Sequence, residues 1–392
     1  MPLAERIYLD SAASTPVADE VIQEMLPYLK QQYGNPSSIH YFGRETTRAI
    51  QLARRRVAGL IRARPAEITF TSGGTEADNL AIKGVAQYAK TMSKAHFITS
   101  HVEHDAIIEP VRDLERFGCR VTLLPVTTEG MVRPSDLKEA LVADTALVSI
   151  MHANNEVGTV QPIKQLAEIA HDAGALFHTD AVQAAGKMPI DVRDLGVDLL
   201  SMSSHKINGP KGVGALYIRS GLDIMPLIYG GGQESELRSG TENVHGIVGF
   251  GKACELAVRR LPEYRLRVEE MRDYLVARVL KEIPHSRING SRLDRLPGNA
   301  HFTFFGVNGE DLIIKMDENG IAASTGSACS VKKQKPSHVL KAMGFSYEEI
   351  TGSLRISLSL QNTTEELDRT VKTLSEVVAE LRSLSPFKSK YV

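Results

Sequence analysis

Ser201-Met-Ser-Ser-His-Lys-Ile-Asn-Gly-Pro-Lys-Gly-Val-Gly214 overlaps and continues an apolar run, Val197 to Met202, that reads as a strand buried on both faces. The strand ends in small hydroxyl residues, then His205 and Lys206, then a Gly/Pro turn. A lysine just past a strand end, among donors suited to phosphate, fits an amine that condenses with an aldehyde cofactor. A solvated surface lysine has much the same local sequence. The segments on either side decide between the two.

Moving outward, short apolar runs alternate with amphipathic stretches from Glu67 to about Ile218. Ile68–Thr71, His96–Thr99, Val121–Leu124, Ala146–Met151 and Leu176–Thr179 read as strands, with helices such as Glu76–Ala89 and Ile163–Ala173 between them. This pattern predicts an α/β fold with a mostly parallel, doubly wound sheet. Ligands of such sheets sit beyond the carboxyl ends of the strands. A long helical stretch follows at His245–Lys281, and then strands at Ala300–Phe305, Ile321–Ala323 and Leu354–Leu358 with helices at Glu310–Glu318 and Thr364–Leu384. The expected organisation is a large domain over 16–258 and a smaller α+β domain formed by 1–15 and 259–392.

Composition narrows the function classes. The 392 residues carry 46 Lys+Arg against 47 Asp+Glu, a formal net charge of -1, which offers no bulk attraction to nucleic acid or acidic membrane. No stretch approaches the ~20 apolar residues of a membrane span. The N-terminal residues lack a signal-peptide core. Cys119, Cys254 and Cys329 are widely spaced and odd in number, so neither a metal cluster nor a disulfide framework is expected. A reducing cytoplasm is the expected location.

The candidate chemistry lies at successive strand ends. Thr71-Ser-Gly-Gly-Thr-Glu-Ala77 opens a helix with glycines that let backbone N–H groups approach an anion. His104 and Asn155 follow other strand ends; an imidazole there can stack on a planar cofactor and move protons, and an amide can bind an acid group. Asp180 ends the run Phe177-His-Thr-Asp180, with Gln183 three residues later. A carboxylate buried there is costly without a positive charge, and a protonated pyridine nitrogen supplies one.

Gly34-Asn-Pro-Ser-Ser38, Thr71–Asn79, Met151-His-Ala-Asn-Asn-Glu-Val-Gly158, Ser203-Ser-His-Lys206 and Leu237-Arg-Ser-Gly-Thr-Glu-Asn-Val244 closely resemble the cysteine desulfurases of the NifS/IscS type. These are pyridoxal 5'-phosphate (PLP) enzymes of the class V aminotransferase group, and the resemblance spans essentially the whole chain. It implies the PLP-dependent transferase fold type I, a homodimer, and removal of sulfur from L-cysteine to give L-alanine and a cysteine persulfide for sulfur-acceptor or scaffold proteins, as in iron–sulfur cluster assembly. Carried over by motif, Lys206 would bond the cofactor, Asp180 would face its ring nitrogen and Gln183 its ring oxygen, and His104 would stack on the ring. Gly74, Thr75, Ser203 and His205 would hold the phosphate, with Thr241 reaching in from a second copy. Asn155 and Arg355 would bind the substrate carboxylate, a task for which the guanidinium fork is suited.

Within Ser324-Thr-Gly-Ser-Ala-Cys-Ser330, Cys329 sits among small residues, an unsuitable place for a core thiol. The resemblance makes it the persulfide carrier; Lys332, Lys333 and Lys335 are either cations that favour its thiolate or solvated loop charges. The step of seven residues from Cys329 to Pro336 matches the long-loop group of the family. Ser11-Ala-Ala-Ser-Thr15, Ser359 and those three lysines depart from the usual pattern without removing a chemical group. A selenocysteine lyase or another class V enzyme remains the alternative reading, as does a non-catalytic sulfur carrier, which the intact Lys206 and Asp180 argue against.

Overall fold

Successive residues of the central strands point into different apolar clusters: Leu199 and Leu216 pack on one face of the sheet, Leu200 and Tyr217 on the other. That period of two, with both faces apolar, is what makes these segments interior strands. The computed structural model describes residues 6–326, 336–384 and 388–391. Its strands are β1 (Ile7–Tyr8), β2 (Ile68–Thr71), β3 (His96–Ser100), β4 (Arg120–Leu124), β5 (Thr145–Ser149), β6 (Leu176–Asp180), β7 (Leu199–Ser203), β8 (Gly214–Ile218), β9 (Ser286–Asn289), β10 (Asn299–Phe304), β11 (Ile321–Ala322) and β12 (Ser353–Ser357).

Among the described residues, seven strands form the large sheet in the order β2-β8-β7-β6-β5-β3-β4. The fold is α/β with a mostly parallel sheet, as expected. One strand departs from the parallel pattern. β8 runs antiparallel to both β2 and β7, because the connection Ser204–Val213 is too short to carry a parallel crossover. Gly214, which begins β8, lies so close to the Gly73 backbone that an added Cβ would sit 2.6 Å from Gly73 C. The close approach seats the Thr71–Gly74 turn against β7 and β8.

The second sheet is antiparallel, in the order β12-β10-β9, and β1 pairs in parallel with β11. A 39-residue helix, Val244–Glu282, links the two sheets. Its first part contributes Ile247, Phe250 and Ala253 to the large core, and its later part contributes Val268, Leu275 and Val279 to the core under the small sheet. At 1.5 Å per residue it spans about 58 Å. The helix therefore runs through the expected boundary at 258–259 without a break. Its apolar stripe changes cores instead, so the expected boundary falls inside one continuous helix.

Candidate active site

The carboxyl ends of β5, β6 and β7 open on one side of the large sheet, and the turns that leave them converge there. A cavity of about 310 Å³ forms between these turns, the start of the helix Gly74–Ala89, and Arg355 of β12. Lys206, Asp180, Gln183, His104, His205 and Ser203 all line it. So do Gly74, Thr75, Asn155 and Arg355. The tertiary fold thus gathers ten of the twelve residues singled out in the sequence. Thr241 is exposed in a separate turn and does not line this cavity. Cys329 lies outside the described residues, as do Lys332, Lys333 and Lys335.

Lys206 is held at the cavity wall, where its Nζ donates to the carbonyls of Ala12 and Ala13 at 2.7 and 2.8 Å. Asp180 ends β6 and is 6% exposed. Burial pushes its carboxyl above the ordinary range, the Val182 N–H opposes this at 2.8 Å, and His104 and Lys206 add positive potential. His104 caps the helix Asp105–Glu115, its Nδ1 accepting from Ala106 N–H at 3.0 Å. In the neutral ring that bond leaves the proton on Nε2. Burial, together with Lys206, Lys211 and Lys187, lowers His205 to about 4, so it is a neutral imidazole at pH 7.

A buried polar cluster adjoins Asp180, and one of its members, Asp78, lines the cavity as well. His178 bonds Ser149 Oγ at 2.8 Å and Ser201 Oγ at 3.0 Å, and lies 3.7 Å from Asp78. Burial lowers His178 to about 3 and raises the Asp78 carboxyl well above its usual range, with Asp180 adding to the rise. The Asp78–His178 approach is therefore between neutral groups and is not an ion pair. Asp78, Lys187 and the Arg355 partner Asp10 escaped the sequence reading. Asp78 falls inside the Thr71–Asn79 motif without any local sign of a role, and each of the three acquires its place only through contacts made across the fold.

These features suit a phosphorylated, planar cofactor. No side chain caps the start of the helix Gly74–Ala89, so its first N–H groups and its dipole are available to an anion. A Cβ on Gly74 would come 2.7 Å from Val182 Cγ2, so the bare backbone is needed to keep this wall open. A buried Asp180 calls for a cationic partner in the cavity. Among the described residues no His/Cys/Asp/Glu group is arranged to hold a metal ion, and no helix is long and apolar enough to cross a membrane.

Comparison with known proteins agrees with this geometry. The family model for aminotransferase class-V matches residues 7–370. The chain is 51% identical over 389 residues to cysteine desulfurase IscS of Dictyoglomus turgidum, covering 99% of this chain and 98% of that protein. It is 50% identical over 384 residues to cysteine desulfurase IscS of Methanosarcina thermophila, covering 98% and 95%. Among solved structures, a NifS-like protein superposes with a TM-score of 0.90 at 40% identity, over 96% of this chain and all of that one. The chain belongs to the class V aminotransferase family, within its cysteine desulfurase branch.

Proposed function

We propose that this protein is a PLP-dependent cysteine desulfurase that takes sulfur from L-cysteine, releases L-alanine and holds the sulfur on Cys329 for transfer to acceptor or scaffold proteins. The observation that carries the reading is the single cavity in which Lys206, Asp180, Gln183, the uncapped helix start at Gly74 and Arg355 meet. PLP, when bound, supplies an electron sink that makes the substrate Cα–H bond acidic. The chain does the rest.

Lys206 would anchor the cofactor, and its Nζ would move the substrate's Cα proton. Asp180 would keep the cofactor's ring nitrogen protonated. Gly74, Thr75, Ser203 and His205 would hold the phosphate, joined by Thr241 of a second copy of the chain. His104 would lie against the ring and offer Nε2–H for proton transfer. Asn155 and Arg355 grip the substrate carboxylate and aim its sulfur toward the approach of Cys329. The Cys329 thiolate attacks that sulfur. A new S–S bond forms as the C–S bond breaks, and the carbon takes the electron pair and then a proton.

The large unit, 16–258, carries the cofactor residues, and 1–15 with 259–392 form the smaller unit that brings Arg355 and Cys329. The active form is a homodimer in the cytoplasm, where Cys119 and Cys254 stay reduced. Sulfur delivery to iron–sulfur cluster assembly is supported by the IscS name of the relatives. The test is Cys329→Ser. The variant is expected to bind PLP and L-cysteine yet release no alanine, and normal alanine release would sink the sulfur-transfer role. L-Selenocysteine measured alongside distinguishes a selenocysteine lyase, which would turn it over in preference to L-cysteine.

A further inference from the structure

Lys206 borders a second cavity as well, of about 100 Å³, whose walls include Ser11, Lys187, Arg260 and Tyr264. Among the described residues no carboxylate lines it. Lys187 is 9% exposed, and its Nζ donates to Gln183 Oε1 at 3.0 Å. Gln183 Nε2 in turn donates to the Ala12 carbonyl at 2.9 Å, the carbonyl that also receives Lys206 Nζ at 2.7 Å. One relay of hydrogen bonds therefore joins two lysines through Gln183 and Ala12.

The chemistry of each partner orients the amide. An ammonium group only donates, so it can meet only the oxygen end of Gln183; a carbonyl only accepts, so it can meet only the nitrogen end. With Oε1 on Lys187 and one Nε2 hydrogen on Ala12, the second Nε2 hydrogen is the donor left to a residue that lines the main cavity. A donor on Oε1 draws electron density from the amide and strengthens the Nε2 donor, most strongly while the Lys187 amine is protonated. Burial lowers the Lys187 amine to about 7, with Lys206 and Arg355 acting the same way, so keeping a charge there costs stability. An apolar chain of similar length would fill the space without that cost.

We propose that Lys187 is a positioning residue of this site, holding Gln183 Oε1 so that the Gln183 Nε2 hydrogen meets the ring oxygen of PLP as a polarised donor. The assignment rests on the reading of the main cavity as a PLP site. It deepens that reading by giving the cofactor's ring oxygen a second layer of control, behind Gln183 and outside the cavity.

The experiment is a double-mutant cycle on the holoenzyme, with Lys187→Met, Gln183→Met and the double variant. Two quantities are read: the PLP dissociation constant, and the pH midpoint of the bound cofactor's visible absorbance. Lys187→Met is expected to weaken PLP binding about tenfold and move the midpoint by about one pH unit. In the Gln183→Met background it should add little to either. Lys187→Arg, which keeps a charged donor, should restore part of both. Equal effects in the two backgrounds, or no effect in the wild-type background, overturn the assignment. Should Lys187→Met fail to fold by circular dichroism, Lys187→Gln carries the same cycle with a neutral donor. Wild-type protein that binds no PLP would overturn the cofactor reading itself, and this assignment with it.

Discussion

Arg355 Nη2 donates to Asp10 Oδ1 at 2.7 Å, tying β12 to the end of the N-terminal arm across 345 positions of sequence. Arg355 Nη1 is spent on the carbonyls of Asn155 and Gly326, at 2.8 and 3.1 Å. Its buried Nε has no hydrogen-bond partner among the described residues. A guanidinium has five N–H donors, so Nε and the second Nη2 hydrogen remain for a further acceptor. That pair forms one edge of the fork that fits a carboxylate. Arg355→Lys removes the fork and keeps the charge. It is expected to raise KM for L-cysteine by about ten- to a hundredfold, the weight of a charged hydrogen bond, with a smaller change in kcat. Steady-state alanine release checks this, and an unchanged KM would take Arg355 out of carboxylate binding.

Lys206 tests the chemistry directly. Lys206→Ala is expected to lower turnover by at least about a thousandfold, since proton transfer and cofactor attachment are lost together. PLP should then dissociate on dialysis from the variant and be retained by the wild type. Single-turnover alanine assays, with cofactor absorbance before and after dialysis, give both answers.

Gly74→Ala addresses the helix start. The new methyl would meet Val182 Cγ2 at 2.7 Å, so either Val182 or the helix start must shift. PLP affinity is expected to fall about tenfold, with a loss of fold stability of about 1 kcal/mol. Titration of the apoenzyme with PLP, beside a thermal melt, separates the two effects.

Glu103 makes stability depend on pH. Its carboxylate accepts from Ser100 Oγ at 2.5 Å and Met151 N–H at 2.9 Å, yet complete burial outweighs both and carries the group up to about 8. In the unfolded chain it ionises near 4.5. The folded state therefore binds the proton more tightly. Its advantage is full below about 4.5 and is lost as pH rises to about 8, a change on the order of a few kcal/mol. Glutamine meets the same two partners without a charge, since Ser100 Oγ can accept from its amide. Glu103→Gln should raise Tm at pH 8, with the gain shrinking as pH falls toward 4.5. Calorimetry across that range decides it, and a gain independent of pH would show that Glu103 does not titrate in the window.

Much of the sheet was legible because strand and helix periods are local. The expected runs at 68–71, 176–179 and 364–384 match observed elements to within a residue. β9 was missed: Ser286–Asn289 is short and polar, and it is a strand only because it pairs with β10. β8 lay within the alternating region, but its antiparallel direction depends on a turn length that periodicity does not report.

The sequence by itself determined the type of fold and the family, a PLP-dependent one. Lys206, Asp180 and Gln183 stand at strand ends, and strand ends can be read from adjacent residues. Only the tertiary structure decided which groups share a charge environment. Arg355 meets Asp10, Lys187 meets Gln183 and Asp78 feels the charge of Asp180 because separate elements close on one cavity. Burial and pairing are properties of the space between segments, and that space exists only once the chain has folded.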